Sequence, residues 1–268
     1  SARIYRLQGM VMMYPYLRGG GKNVPGFQEQ FYGEVNDVIS AYNYLCKQPH
    51  IDKNKIFLGG HSTGGTLALL VAEATNKFAG VISLGPVGTD YGVEAVPFKV
   101  TKKERELRFP INYLNSITTP TWVIEGQHGN SHDLQQLKKT STNKKIKFIS
   151  VDQADHFNCI HPVNSLIAKA MLKPGPLKFD EAELKSSFIN YWTSRREASD
   201  LETLASYRRK GVKLDGFQPL KFYFWAENKA SMKSGVDAVT KEGFKHLKRR
   251  LHGRQIRVRA HQNCNKWF

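Results

Sequence analysis

The stretch that decides the fold runs from residue 56 to residue 69 and reads IFLGGHSTGGTLAL. It places an apolar strand directly before Ser62 and a helix of small and apolar residues directly after it. Gly60 and Gly64 flank Ser62 at the spacing of a nucleophile elbow, a strained strand-to-helix turn that exposes a serine hydroxyl. A glycine-rich turn without chemistry is the alternative interpretation, but the strand and the helix on either side favour the elbow.

Short apolar segments alternate with amphipathic ones on both sides of this stretch. The pattern predicts strands at Met10–Tyr14, Ile56–Gly59, Val81–Leu84, Thr121–Glu125 and Ile146–Val151. It predicts helices at Val35–Leu45, Thr66–Ala74 and Val163–Leu172. Such alternation is typical of an α/β protein with a mostly parallel sheet covered on both faces, and chemistry is expected at the carboxyl ends of its strands.

A serine nucleophile needs a base, and the base needs an acid behind it. In a fold of this type the acid and then the histidine follow the serine along the chain, each in a loop after a later strand. His156 comes after the predicted strand Ile146–Val151 and before the predicted helix Val163–Leu172. We therefore predict that His156 is the base, with a loop histidine bound to backbone as the alternative.

Two carboxylates compete for the role of the acid. Asp133 lies in the loop beyond the strand Thr121–Glu125, and Glu125 lies at the end of that strand. We favour Asp133, because a loop carboxylate can move under the imidazole more easily than one fixed on a strand. Either residue could instead be a loop cap or part of a structural ion pair.

The remaining histidines and the three cysteines do not indicate a metal site. No HExxH or comparable ligand spacing occurs, so we expect neither a metal nor another cofactor. Cys159 lies three residues after His156 but is expected to be a small buried residue rather than a nucleophile. Cys46, Cys159 and Cys264 are few and scattered, which favours a reducing compartment and a cytoplasmic location.

Several ordered motifs together resemble those of one enzyme family. They are Tyr14-Pro15 with Leu17-Arg18-Gly19-Gly20-Gly21, then Gly33-Glu34-Val35 with Asp37, Gly60-His61-Ser62-Thr63-Gly64-Gly65, Pro120-Thr121 and His156-Phe157. On these motifs, residues 10–172 resemble the catalytic domain of the prolyl oligopeptidase family of serine peptidases, within the α/β-hydrolases.

The resemblance implies a serine hydrolase that acts through an acyl-enzyme on a peptide or a small ester, with a peptidase preferred over an esterase. It implies Ser62 as nucleophile, Asp133 as acid and His156 as base, with the backbone N–H of Thr63 as one oxyanion donor. Arg18 and Asp37 are expected to pair and to hold the glycine-rich loop.

The resemblance also implies parts that the sequence before residue 10 is too short to hold. The family's first strands and the loop with the second oxyanion donor are expected there, so residues 1–173 are predicted to be the C-terminal part of an α/β-hydrolase domain. The alternative is a catalytically impaired hydrolase scaffold that acts as a binding or regulatory protein through a basic C-terminal module.

The C-terminal module is expected because composition changes near residue 173. The chain has 268 residues, with 40 Lys+Arg and 23 Asp+Glu for a net charge of +17. From residue 178 onward there are 20 Lys+Arg and 10 Asp+Glu, a balance of +10. Lys173-Pro174-Gly175-Pro176 stops the preceding helical pattern, so residues 174–178 are predicted to be a linker.

Residues 179–268 are predicted to form a small basic α+β domain. The pattern indicates a helical face with Leu184 and Phe188, a second helix that starts near Ser199, a strand over Leu220–Trp225, a helix over Glu227–Glu242 and a last strand over Ile256–Ala260. The module resembles the ribonuclease E inhibitor family through Phe222-Tyr223-Phe224-Trp225, which implies a ferredoxin-like fold. An ordinary sheet core is the alternative.

Seven Lys and Arg residues fall between Phe244 and Arg259 without an acidic residue among them. Such a run can bind a nucleic acid or an acidic protein, although a solvated basic face is its commoner meaning. No apolar run approaches the roughly 20 residues that a membrane span needs.

Overall fold

The structure, a computed structural model, describes residues 2–21, 23–88, 96 and 98–194, together with the backbone of three strands beyond them. These residues divide into two compact units, Ser1–Ser194 and Arg195–Phe268. The division therefore comes later than the predicted linker at residues 174–178.

The first unit alternates helices with four strands. The helices are α1 (Ala2–Arg6), α2 (Glu34–Leu45), α3 (Thr63–Ala74), α4 (Lys102–Glu106), α5 (Ser131–Thr140), α6 (Ile160–Met171) and α7 (residues 181–194). The strands are β1 (Phe57–His61), β2 (Gly80–Leu84), β3 (Thr121–Gly126) and β4 (Ile146–Val151). Short 3₁₀ turns lie at Lys53–Lys55, Pro110–Asn112 and Leu114–Ser116.

The four strands form one parallel sheet in the order β1-β2-β3-β4. The sheet has apolar cores on both faces, because successive residues of a strand point to opposite sides. Ile82 and Ile124 belong to a cluster with α6, whereas Val81 and Val123 belong to a cluster with α3 and α5. This arrangement confirms the predicted α/β class, and it brings the carboxyl ends of the strands to one edge.

The predicted strand Met10–Tyr14 is not formed among the described residues. Its period-2 pattern is nevertheless present, since Met10 and Met12 pack against the core while Val11 and Met13 are exposed. A strand also needs a neighbour to exchange backbone hydrogen bonds with. The four-stranded sheet does not extend to this segment, so the alternation places side chains without making a strand.

Residues 174–194 belong to the first unit and pack on its core. Leu177 and Leu184 are buried in the same cluster as α6, and the ring of Phe179 lies edge-on to that of Trp122, with centroids 4.7 Å apart. The backbone N–H of Asp152 donates to the carbonyl of Lys185 at 2.8 Å. Proline and glycine at 174–176 interrupt the helix, but the chain after them returns to the same core.

The second unit contains an antiparallel sheet of three strands in the order β5-β7-β6. They are β5 (Phe217–Trp225), β6 (Lys245–His252) and β7 (Gln255–Asn263). The predicted strands Leu220–Trp225 and Ile256–Ala260 lie within β5 and β7. The predicted helices near Ser199 and over Glu227–Glu242 lie outside the described residues.

Six of the seven basic residues of the run fall on β6 and β7, where Lys248 pairs with Arg259 and Arg250 with Arg257. Arg254 lies outside the described residues. The ferredoxin-like fold of this module, its nucleic-acid or acidic partner and the cytoplasmic location of the chain stay predictions. Across the described part of the chain, no helix combines the length and the apolarity of a membrane span.

Candidate active site

Ser62 occupies a strained turn between β1 and α3. Its backbone has φ 58° and ψ −123°, a conformation that residues other than glycine rarely adopt. Such a residue costs on the order of 1–3 kcal/mol and persists only where its surroundings hold it. Here the Ser62 N–H donates to the carbonyl of Leu84 at 2.8 Å, which ties the turn to the end of β2.

The glycines around Ser62 have different roles. A Cβ on Gly60 would lie 2.0 Å from the carbonyl oxygen of Gly64, and one on Gly65 would lie 2.7 Å from that of Leu84. A Cβ on Gly64 would meet nothing within 4 Å. The turn therefore needs glycine at positions 60 and 65, whereas Gly64 contributes through the closeness of its backbone to Gly60.

His156 lies in the loop between β4 and α6, as the sequence predicts. Its Nδ1 lies 2.8 Å from Oε2 of Glu125. The exposed fraction of the side chain is 15 % for His156 and 1 % for Glu125, so the pair is mostly shielded from water. A carboxylate on Nδ1 fixes the tautomer in which Nε2 is available to take a proton.

Glu125 is held by the backbone at the end of β3. Its Oε1 accepts a hydrogen bond from the N–H of Gly126 at 2.6 Å, and its Oε2 accepts one from the N–H of Asn130 at 3.0 Å. Asn130 is the N-cap of α5, so the carboxylate lies at the positive end of that helix. These bonds and the imidazole satisfy the hydrogen-bonding capacity of a carboxylate that is fully buried.

Asp133, which the sequence analysis favours as the acid, has a different partner. It lies in the first turn of α5, and its Oδ1 accepts a hydrogen bond from the backbone N–H of Gly88 at 3.1 Å. The structure thus pairs His156 with Glu125, whereas Asp133 is hydrogen-bonded to Gly88. The helix begins at Ser131, which makes Asp133 a helical residue rather than a mobile loop residue.

Two further glycines make room for the His156–Glu125 pair. A Cβ on Gly85 would lie 2.5 Å from Cε1 of His156, and one on Gly129 would lie 2.4 Å from Oε1 of Glu125. Sequence reasoning missed both positions. A glycine directly after the strand Gly80–Leu84 and one four residues after Glu125 are the signals that could have drawn attention to them.

Ser62 and His156 lie at the same end of the sheet. His61, the residue before Ser62, has its ring centroid 4.4 Å from that of His156. Gly85, which crowds the His156 ring, directly follows the Leu84 carbonyl that binds the Ser62 N–H. Thr63 follows Ser62 as the first residue of α3, so its backbone N–H lies at the helix N-terminus, where the helix dipole favours negative charge.

Cys159 is a core residue, as predicted. Its exposed fraction is 1 %, and burial raises the pKa of its thiol to about 12. A thiol in this state is a poor nucleophile, because only the thiolate reacts. Within residues 2–194 as described, no group of three or more His, Cys, Asp and Glu side chains could hold a metal ion.

The predicted pairing of Arg18 and Asp37 is also present. The Arg18 Nε and Nη2 atoms donate to the two Asp37 carboxylate oxygens at 3.0 and 2.9 Å, and Nη1 donates to Glu29 at 2.6 Å. The Arg18 guanidinium lowers the pKa of Asp37. These bonds fasten the glycine-rich loop to α2 and do not involve His156.

A parallel sheet between two helical layers, with a serine at positive φ between a strand and a helix, defines the fold of an α/β-hydrolase. Residues 1–128 match the family model described as prolyl oligopeptidase family. The match starts earlier than the resemblance at residues 10–172 and ends before His156. The ribonuclease E inhibitor likeness of the last residues finds no support in the comparisons.

Curated relatives and solved structures cover part of the chain. An uncharacterized peptidase of Bacillus subtilis, YtmA, is 29 % identical over 147 residues, which are 48 % of this chain and 55 % of that protein. A second uncharacterized peptidase of the same organism, YuxL, is 23 % identical and covers 58 % of this chain and 27 % of that protein. The chain thus spans about half the length of the first relative and about a quarter of the second.

Among solved structures, acylaminoacyl peptidase of Pyrococcus horikoshii has a TM-score of 0.44 at 13 % identity, covering 58 % of this chain and 30 % of that one. An esterase of Pyrococcus furiosus has a TM-score of 0.42 at 19 % identity, covering 54 % of this chain and 62 % of that one.

Proposed function

We propose that this chain carries a serine hydrolase site with Ser62 as nucleophile, His156 as general base and Glu125 as the carboxylate that orients His156. One observation carries the proposal. An imidazole held at Nδ1 by a buried carboxylate lies beside the residue that precedes a strained, strand-to-helix serine. The three residues follow the roles, though not the acid position, that the sequence analysis expected.

The reaction would proceed through an acyl-enzyme. Ser62 Oγ attacks the substrate carbonyl carbon, and its proton passes to Nε2 of His156. The carbonyl oxygen becomes an oxyanion beside the Thr63 N–H. His156 then gives the proton to the leaving amine or alcohol as the bond to it breaks. Water, activated by His156, later hydrolyses the Ser62 ester and restores the hydroxyl.

The groups of the site supply recognised parts of the rate enhancement. A positioned base contributes about 10²- to 10⁴-fold, and a single oxyanion donor about 10²- to 10³-fold. Glu125 contributes by keeping Nε2 free of its hydrogen until attack and by stabilising the imidazolium that forms. Its carboxylate needs no movement to do so, since backbone N–H groups already fix it.

We propose a peptide as the substrate and a small ester as the second choice. The preference rests on the match to the prolyl oligopeptidase family model and on relatives described as peptidases. Phe157 adjoins His156 and is 72 % exposed, so an apolar ring is available to a substrate side chain beside the base.

Turnover of matched substrates tests the proposal. We expect the protein to hydrolyse p-nitrophenyl acetate and peptidyl p-nitroanilides, and Ser62→Ala and His156→Ala to lose at least about 10³-fold in kcat. Ester turnover without anilide turnover would replace the peptidase by an esterase. Equal rates for Ser62→Ala and the parent would overturn the hydrolase and favour a binding protein on the same scaffold.

A further inference from the structure

His61 is an imidazole beside the proposed base that the reaction does not use. It is the last residue of β1, and its partly buried ring lies 4.4 Å from the ring of His156, with the planes 37° apart. Its Nε2 lies 2.8 Å from the backbone carbonyl oxygen of His156. A side chain next to Ser62 thus holds the main chain of the loop that carries the base.

The acceptor of this contact determines which ring nitrogen of His61 carries hydrogen. A carbonyl oxygen only accepts, so Nε2 of His61 is the donor. The thiol of Cys159 lies 3.8 Å from the same oxygen, but Cys159 belongs to the same loop as His156. The His61 bond is different in kind, because it crosses from the loop to the strand that carries Ser62.

The loop at residues 152–159 is neither helix nor strand. The residues that follow β3 hold its first part, since the N–H of His128 donates to the carbonyl of Ala154 at 2.8 Å. Asp155 stabilises it internally by accepting hydrogen bonds from the N–H groups of Phe157 and Asn158, each at 2.8 Å. Glu125 fixes one nitrogen of the His156 ring. None of these contacts sets the distance between this loop and Ser62.

His61 contacts the loop through its ring as well as through its N–H. Its ring covers the His156 ring, and Phe157 stands at 80° to His156 and 5.6 Å from His61, measured between ring centroids. Glu125 therefore orients the His156 ring about Nδ1, while His61 fixes the backbone from which that ring extends. The N–H donor and the ring face are separable properties of the His61 side chain.

We propose that His61 is a positioning residue that tethers the carbonyl of His156 to the nucleophile strand and so sets the approach of the base to Ser62. Its kinetic consequence rests on the proposed hydrolase function. A misplacement of about 1 Å in such a pair can cost on the order of 10²-fold in rate. The tether itself is a structural property and can be observed without turnover.

Three substitutions separate the donor from the ring. His61→Gln keeps an N–H donor at the same number of bonds from Cβ as Nε2, whereas His61→Asn is one bond shorter. His61→Phe keeps a ring and loses the donor. We expect kcat for p-nitrophenyl acetate to fall about 10- to 100-fold in His61→Phe and His61→Asn, with KM unchanged, and to recover within severalfold in His61→Gln.

A role in stability alone would not give this pattern, because activity would then fall with the fraction of folded protein and not with the loss of the N–H donor. A His61→Phe variant as active as the parent contradicts the tether. So does a His61→Gln variant as impaired as His61→Asn, provided that all variants unfold at the temperature of the parent.

Proton NMR of histidine-labelled protein gives the second readout. The Nδ1–H of His156, assigned by its loss in Glu125→Gln, should give a resolved resonance in the parent and in His61→Gln and should broaden in His61→Phe. If these changes occur while Ser62 proves inert, the tether stands and the hydrolase proposal falls. If His61→Phe leaves the resonance unchanged, the tether falls whatever the activity.

Discussion

Gly60 and Gly64 flank Ser62 at equal spacing, yet they experience different surroundings. Only Gly60 faces backbone at a distance that no side chain tolerates. We expect Gly60→Ala to lower the free energy of unfolding by about 2–4 kcal/mol, because the elbow must open to admit the methyl group. Urea unfolding monitored by tryptophan fluorescence measures the change.

Gly64→Ala is the matched control. The methyl group enters open space in the first turn of α3. Alanine restricts the unfolded chain more than glycine does, so we expect a gain of about 0.4–1 kcal/mol. Equal destabilisation by the two substitutions would show that the elbow is not packed as described.

The choice between Glu125 and Asp133 is also decided at single residues. Glu125→Gln should lower kcat/KM on the order of 10³- to 10⁴-fold, because an amide cannot hold His156 in the required tautomer. Asp133→Asn should leave kcat/KM close to that of the parent, since an amide oxygen can still accept from the Gly88 N–H. Nitrophenyl ester hydrolysis by the two isosteric variants measures the difference, and the reverse order of effects would restore Asp133 as the acid.

At the scale of elements, α3 carries a carboxyl group whose burial is not compensated. Glu73 lies near the end of α3, and its Oε1 is buried with no hydrogen-bond partner among the described residues. Burial raises the pKa of Glu73 to about 9. The proton is therefore held in the folded protein over a pH range in which the unfolded chain, with a pKa of about 4.3, has lost it.

The sign of the resulting pH dependence follows directly. Because the pKa of Glu73 is raised in the folded state, the folded protein holds the proton more tightly than the unfolded chain does. The stability that this gives is fully present below the unfolded pKa and is lost as the pH rises toward 9, by at most about 1.4 kcal/mol per pH unit. Glu73→Gln should thus unfold like the parent at pH 4 and at a higher temperature than the parent at pH 8. Thermal unfolding at both pH values measures this, and a difference that does not change with pH would contradict it.

The elements also show where sequence patterns are sufficient. Ile146–Val151 is predicted at its observed bounds, because an apolar strand between polar turns keeps its character in any parallel sheet. Met10–Tyr14 has the same local pattern but lacks a neighbouring strand, and pairing is a long-range property that periodicity cannot report. For a similar reason the sequence pattern ranks Glu125 behind Asp133, since the advantage of Glu125 comes from the N-cap Asn130 and from the space at Gly129.

At the scale of the whole molecule, the first unit is larger than composition suggested. Lys173-Pro174-Gly175-Pro176 has the composition of a linker, but α7 beyond it places Leu184 in the core of the sheet. Composition describes local conformational preference and does not reveal which apolar face a later helix buries. The first compact unit therefore includes residues up to Ser194.

Two alanine substitutions on α7 test this boundary. Leu184 is 1 % exposed, so Leu184→Ala should lower the free energy of unfolding by about 2–5 kcal/mol. Ile189 lies on the same helix and is 42 % exposed, so Ile189→Ala should change it by about 0.5 kcal/mol. Chemical unfolding of the full chain measures both, and equal small effects would show that α7 is not part of the core of the first unit.

Covalent labelling with a fluorophosphonate, followed by mass-spectrometric mapping of the adduct, tests the central claim most directly. We expect one adduct on the peptide that contains Ser62, its absence in Ser62→Ala, and much slower formation in His156→Gln. An adduct on another serine, or labelling of Ser62 at the same rate with and without His156, would contradict the account.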